Sequence, residues 1–325
     1  MEMKNLGIAV VAATSCSVFG AEIFEGDGKA LSIGGFVDVA LGKRGAIYSD
    51  PELDVHQISP RINIGGYQEI APDITVDAKG EWALNYLDGG DTSFTTRLGY
   101  IGVTHNQFGR VVMGTQWSPF YSVAGAADMP IAFSNDFLYF DSNSLGTARA
   151  EKMVSYQKTF TLNDSLNLDL STGWQGKEDT NVDSRTQISL NVAYDKFVIG
   201  YAYNGGKIAG EDSVLNAVSL KYGEYGIGPY AAIVFTNHDA HDNREYQYYD
   251  AILAYGLSNN VNLILNYEEG NDETSNTKMY EHSALQLEYS ISSGLMAFIG
   301  YQIDLGNDLN ENEDDQYSAG LRYFF

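Results

Sequence analysis

The sequence predicts an all-β fold: a closed, antiparallel, sixteen-stranded transmembrane β-barrel with one long loop folded into its lumen. Three observations predict it. Apolar and polar residues alternate with period two over segments of about ten residues, the number of such segments is even, and the chain opens on a short apolar leader.

The leader comes first. Residues 6–13, Leu-Gly-Ile-Ala-Val-Val-Ala-Ala, follow Lys4 and precede small residues, which is the layout of a secretory signal peptide. A membrane-spanning helix takes about 20 apolar residues, so this run is too short to cross as one. The small-x-small site Val18-Phe19-Gly20 sets residues 1–20 as the signal peptide and residues 21–325 as the barrel domain, with Ala21 first in the mature chain. Glu2 is an acid where a basic start is usual, and initiation at Met3 would remove it. The one cysteine, Cys16, lies in this leader. Acylation there is the alternative, but Ala13-Thr14-Ser15 lacks the leucine that lipoprotein signals favour. The mature chain then has no thiol for a disulfide or for catalysis.

After the leader no apolar run approaches the length of a transmembrane helix. In residues 74–86, Ile74, Val76, Ala78, Trp82 and Leu84 fall on one face, and Asp77, Lys79, Glu81 and Asn85 on the other. Leu166, Leu168, Leu170 and Trp174 oppose Asn167, Asp169 and Ser171 in the same way, and Leu285, Leu287, Tyr289 and Ile291 oppose Gln286, Glu288 and Ser290. A soluble sandwich also alternates. Here the polar faces carry charge and amide in mid-strand and the apolar faces often end in Tyr or Trp, as a polar lumen, a lipid-facing band and aromatic girdles require. Strands are expected near 30–42, 56–67, 73–87, 93–105, 109–116, 151–161, 165–177, 183–195, 196–207, 212–223, 226–237, 244–257, 260–269, 280–291, 294–304 and 315–325. An even count lets an antiparallel barrel close without an edge.

The connections alternate between tight turns, such as Tyr194-Asp195-Lys196, and longer acidic or glycine-rich links. One link is much longer. Residues 117–150 follow the fifth strand and hold Phe120, Tyr121, Phe133, Phe137, Tyr139 and Phe140, too apolar a set to stand free in water. The barrel interior is the place for it.

Charge excludes several partners. The chain has 43 acids against 19 Lys and Arg, a net charge of −24. Nucleic acid and simple docking on an anionic lipid surface both want a basic face. Neither His-Glu-x-x-His nor Gly-x-Ser-x-Gly occurs. His238-Asp239-Ala240-His241-Asp242 has some metal-ligand character but reads as a solvated loop, and the acidic stretch 308–315 lacks the spacing of an EF-hand. No metal site and no cofactor are expected.

Several segments carry a family resemblance in their order and spacing. They are Ala21-Glu22-Ile23-Phe24-Glu25-Gly26-Asp27-Gly28-Lys29, Arg97-Leu98-Gly99-Tyr100-Ile101-Gly102-Val103, Phe108-Gly109-Arg110-Val111-Val112-Met113-Gly114, Asp128-Met129-Pro130 and Ala319-Gly320-Leu321-Arg322-Tyr323-Phe324-Phe325. With these the chain resembles, over essentially its whole mature length, the general diffusion porins, the trimeric barrels of Gram-negative outer membranes. The resemblance implies a homotrimer in the cell outer membrane, in contact with lipopolysaccharide and outer-membrane lipid, through which small hydrophilic solutes and ions diffuse passively. It implies a third outer loop that folds inward, with acids facing arginines on the wall. Asp128 matches a loop acid, and Arg61, Arg97 and Arg149 match wall arginines.

The alternation gives the same orientation. Arg61 falls opposite Ile62 and Ile64, Arg97 opposite Leu98 and Tyr100, and Arg149 shares parity with Glu151 and Ser155. Two positions depart from the family: Phe36 stands where a basic residue is expected, and Ile131-Ala132-Phe133 where an acid is usual after the loop proline. Asp136, Asp141 and Lys152 are then further candidates for the constriction. Tyr323 and Phe325 resemble the terminal signal read by the barrel-assembly machinery. The net charge and acidic loops predict a mild cation preference. A substrate-specific porin with an aromatic slide, a barrel enzyme and a receptor barrel are the alternatives.

Overall fold

The computed structural model describes residues 20–47, 50–87, 94–139, 142–258, 260–311 and 314–325. The expected leader lies outside the described residues except for Gly20, as do Phe140 and Asp141.

Each stretch of alternation forms a strand. In chain order these are β1 (Gly20–Gly26), β2 (Lys29–Lys43), β3 (Asp54–His56), β4 (Arg61–Ala71), β5 (Ile74–Leu84), β6 (Phe94–His105), β7 (Gly109–Trp117), β8 (Arg149–Thr161) and β9 (Leu166–Gln175). They continue as β10 (Val182–Tyr194), β11 (Phe197–Ile208), β12 (Glu211–Glu224), β13 (Ile227–Asp239), β14 (Glu245–Ser258), β15 (Val261–Asp272), β16 (Thr277–Ser292), β17 (Leu295–Asp304) and β18 (Gln316–Phe324). Neighbours pair antiparallel in sequence order, and β18 returns to β2 to close the ring.

Eighteen segments occupy sixteen places. On one edge of β2, β18 covers Phe36–Lys43 and β1 covers Lys29–Gly34. Phe325 exchanges both backbone hydrogen bonds with Gly35 between them, 3.1 Å each. On the other edge, β4 covers Lys29–Phe36 and β3 covers Ala40–Gly42. Each pair acts as one interrupted strand, which gives the closed sixteen-stranded barrel.

The two faces differ as the alternation requires. In β15, Asn262, Ile264, Asn266 and Glu268 are buried while Leu263 and Leu265 are exposed. In β18, Gln316, Ser318 and Arg322 are buried while Leu321 and Tyr323 are exposed. Apolar side chains therefore form the outer belt, an arrangement suited to lipid and costly in water.

The closing seam is held by charge as well as backbone. Arg322 donates to Asp38 Oδ2 from Nε (3.0 Å) and Nη2 (2.8 Å), and both side chains are buried. Asp38 Oδ1 accepts the Ile58 N–H at 2.9 Å. The Phe36 ring lies under two guanidiniums, Arg322 at 4.1 Å and Arg61 at 4.8 Å. The Arg322→Met substitution leaves Asp38 buried without its counter-charge and should lower barrel stability by about 3–5 kcal/mol. Adding Asp38→Asn should restore most of it. Reversible urea unfolding in lipid vesicles measures both, and equal stability of Arg322→Met and the parent would exclude a structural role for the pair.

Candidate pore constriction

The long link between β7 and β8 does not project from the barrel. It contains α1 (Tyr121–Ala124), a 3-10 turn at Gly125–Ala127, another at Phe137–Tyr139, and α2 (Ser142–Leu145). A peptide crossing a barrel interior needs partners for its backbone groups, and wall side chains supply them. Gln187 of β10 holds both ends of the loop: its Oε1 accepts the Phe120 N–H (3.0 Å) and its Nε2 donates to Gly146 O (2.9 Å). Gln286 of β16 accepts the Phe133 N–H (3.0 Å) and donates to Phe133 O (2.7 Å). Glu288 accepts the Ile131 N–H and Glu268 the Asp136 N–H, each at 3.0 Å. From the 44–53 link, Arg44 Nε donates to Ala132 O at 3.0 Å.

These wall residues belong to the buried, polar faces of their strands, so the loop lies inside the barrel. Close approach needs glycine on the wall. A Cβ at Gly300 would stand 2.9 Å from the Phe133 ring, and one at Gly200 would stand 2.9 Å from Val123. Phe120, Phe133 and Phe137 are buried against the wall. They are packing residues and do not line an aromatic slide.

The loop presents an acid beside the arginines. Asp128 accepts the Tyr121 hydroxyl at 2.8 Å and the Tyr139 hydroxyl at 2.6 Å. Arg149, paired with Trp117 across β7 and β8, places its guanidinium 5.5 Å from the Trp117 ring and 5.8 Å from the Tyr139 ring. Asp128 and Arg149 thus share Tyr139. Arg61 and Arg97 meet at a different residue: Glu81 Oε1 lies 3.0 Å from Arg97 Nε and 3.6 Å from Arg61 Nη1, while its Oε2 lies 3.3 Å from Lys79 Nζ. Enclosure in the barrel raises the Asp128 pKa, and the tyrosine bonds and Arg61 offset only part of that rise.

Asp136 is not part of this group. It lies beside Glu268 and His282 of β15 and β16. Lys152 also points elsewhere, donating to Lys177 O and Glu178 O at 3.2 Å.

Strict parity fails for two of the arginines, and bulges are the reason. The β5–β6 register shifts between Glu81–Leu98 and Trp82–Thr96, with Arg97 as the extra residue. Leu98 is buried and Tyr100 carries Arg110 at 5.9 Å, so both are inward, opposite to the expectation. Arg97 reaches Glu81 all the same. In β8, the register shift at Glu151–Lys152, where Lys152 has φ 50°, leaves Glu151 exposed and Ser155 buried. Arg149 owes its place to Trp117 and Tyr139 rather than to alternation. His238 is likewise not a solvated loop residue: it lies in β13, one residue before its end, buried and 3.1 Å from Ser213 Oγ. Glu81, Gln187, Gln286 and Glu288 were legible only as polar-face residues; nothing local in the sequence marks what they hold.

The family model described as Gram-negative porin matches residues 7–325. The chain belongs to the Gram-negative porin family. This porin is 25% identical over 364 residues to outer membrane porin PhoE of Escherichia coli (strain K12), with all of both chains covered. Its fold is similar to OmpF of Salmonella typhi, solved in complex with daunomycin, at TM-score 0.79 and 19% identity, covering 94% of this chain and 100% of that one. It is also similar to the trimer form of OmpT of Vibrio cholerae, at TM-score 0.68 and 15% identity, covering 92% and 100%. The porin is an outer-membrane channel that lets small hydrophilic solutes and ions diffuse passively through its water-filled lumen.

Asp128 sets the expected pH response. Its raised pKa means that, on acidification, it takes up a proton before an exposed aspartate does. One negative charge then leaves the loop, so the cation-to-anion permeability ratio should fall as pH drops, with a midpoint above the ordinary aspartate range. Asp128→Asn should lack this step. Reversal potentials measured across a pH series test it, and identical titrations of variant and parent would discard the assignment.

Proposed function

We propose that the loop face bearing Asp128, Tyr121 and Tyr139 and the wall bearing Arg61, Arg97 and Arg149 form the constriction that sets solute size and orientation. The observation that carries this reading is Tyr139, whose hydroxyl binds Asp128 while its ring lies beside Arg149. An acid and guanidiniums held apart in this way create a field across the pore, which orients water and dipolar solutes without a cofactor. Glu81 tempers the arginines, but with Lys79 beside it the constriction itself keeps a small excess of positive charge. The net −24 is carried elsewhere, with exposed acids in the links between strands, among them Glu52, Asp179 and Glu273. A weak cation preference should come from those acids.

The finer parts of the reading follow from the same family membership. The porin works as a channel and not as an enzyme. It assembles as a homotrimer, supported by the trimer form of its OmpT relative. Residues 1–20 are the cleaved leader, and Ala21 then lies in β1. The exposed belt contacts outer-membrane lipid and lipopolysaccharide. Tyr323 and Phe325, at the end of an outward-alternating strand, serve the barrel-assembly machinery.

Single-channel recording of the purified mature protein in a planar bilayer tests the reading. Large steps closing in three equal sublevels are expected, with reversal potentials showing a mild cation preference. If that preference comes from link acids it should weaken between 0.1 M and 1 M salt, as the screening length falls from about 10 Å to about 3 Å. Anion preference at low salt, or no conductance from a folded barrel, would overturn it.

A further inference from the structure

The wall opposite the arginines holds a group of a different kind. β15 and β16 pair Glu268 directly with His282. The loop lays Asp136 against both, and one donor atom from each of the three lies within 4.8 Å of the others. We propose that Asp136, Glu268 and His282 form a site for a divalent transition ion of the zinc class, joining the pore loop to the barrel wall.

Two features of Glu268 point to a ligand. Its Oε2 accepts the Asp136 N–H, but its Oε1 is buried and has no hydrogen-bond partner among the described residues. That oxygen lies 3.9 Å from His282 Nδ1. The separation is too long for a hydrogen bond, and closing it by about half an ångström would give the donor spacing of a tetrahedral ion with bonds of about 2.0–2.2 Å. Asp136, half-buried on the loop, supplies the third donor, within 4.8 Å of the other two. On the neighbouring β14, Asp250 pairs with Glu268 and adds another buried carboxylate oxygen, Oδ2, without a hydrogen-bond partner among the described residues. Carboxylates gathered away from water must be balanced by protons or by a cation.

The donor set selects the ion. One imidazole nitrogen and two carboxylate oxygens suit zinc, which accepts mixed N and O ligands in low coordination numbers. Calcium and magnesium want six or more oxygens. Tyr280 stacks on the His282 ring, with centroids 5.6 Å apart and planes 23° apart, and fixes its orientation. Asp136 is the least buried of the three and offers the way in from the lumen. The site depends on the packing of the loop on β15 and β16. It does not depend on Asp128 and the arginines as the constriction, so bilayer recordings and ion binding test separate claims.

The test uses the folded, chelator-stripped barrel in detergent, titrated with Zn²⁺ and, separately, with Mg²⁺. Calorimetry should give one Zn²⁺ per chain, and the melting temperature should rise with Zn²⁺ but not with Mg²⁺ at equal concentration. His282→Gln, Glu268→Gln and Asp136→Asn should each weaken Zn²⁺ binding by roughly tenfold or more, as expected for loss of a direct ligand. His238→Gln, which changes a histidine outside the site, should bind as the parent does. Zinc X-ray absorption on the parent should show one imidazole in the ligand shell, a readout that survives if a variant fails to fold. Absence of Zn²⁺ binding, an ion shell without imidazole, or Asp136→Asn binding as tightly as the parent would overturn the proposal.

Discussion

A backbone group in the core of a bilayer has no water to turn to. Each unpaired N–H or C=O there costs several kcal/mol, so a sheet can cross only if it has no edges. The rest of this porin follows from that constraint. It requires an even ring of antiparallel strands, and the ring is completed here by two interrupted strands on either edge of β2. It also explains why the seam is so heavily secured. Where β18 and β1 share one edge, backbone pairing passes through Phe325 and Gly35, and the buried Asp38–Arg322 pair sits beside the junction.

The same constraint acts again inside the barrel, with a different solution. The described residues of the 118–148 loop have little regular structure and satisfy only some of their own peptide groups. Gln187, Gln286, Glu268 and Glu288 take that role, each presenting acceptors or donors from an inward strand position. Side-chain amides are well suited because they give and accept at once, as Gln187 and Gln286 both do. Carboxylates can only accept while ionised, which concentrates acid behind the loop and leaves the arginines on the facing wall. The polarity of the lumen is therefore partly a consequence of how the loop is held.

Much of the barrel was legible in the sequence because alternation is a property of each strand alone. All sixteen expected segments are strands, and faces such as those of β15 and β18 divide as read. What escaped was whatever depends on a neighbour. In sequence β1 shows only a family-like start, since its strand character comes from pairing with β2. The bulges at Arg97 and Glu151–Lys152 invert the parity on either side, and no local signal announces an extra residue. Asp128 could be read from its place in the loop, whereas its dependence on Tyr121 and Tyr139 needed coordinates. The grouping of Asp136 with Glu268 and His282 spans too much chain for any spacing rule to find.

Gln187 has one more implication. By gripping Phe120 and Gly146 with a single amide, it brings the two ends of the inserted segment to one point on the wall. The segment between those residues is then a lasso closed at one point, with further ties at Ile131, Ala132, Phe133 and Asp136. Its length and chemistry can drift while the hoop stays fixed. A lineage can in this way change the calibre of its pore by rewriting about one tether's worth of chain, without reopening the problem of how the barrel is built.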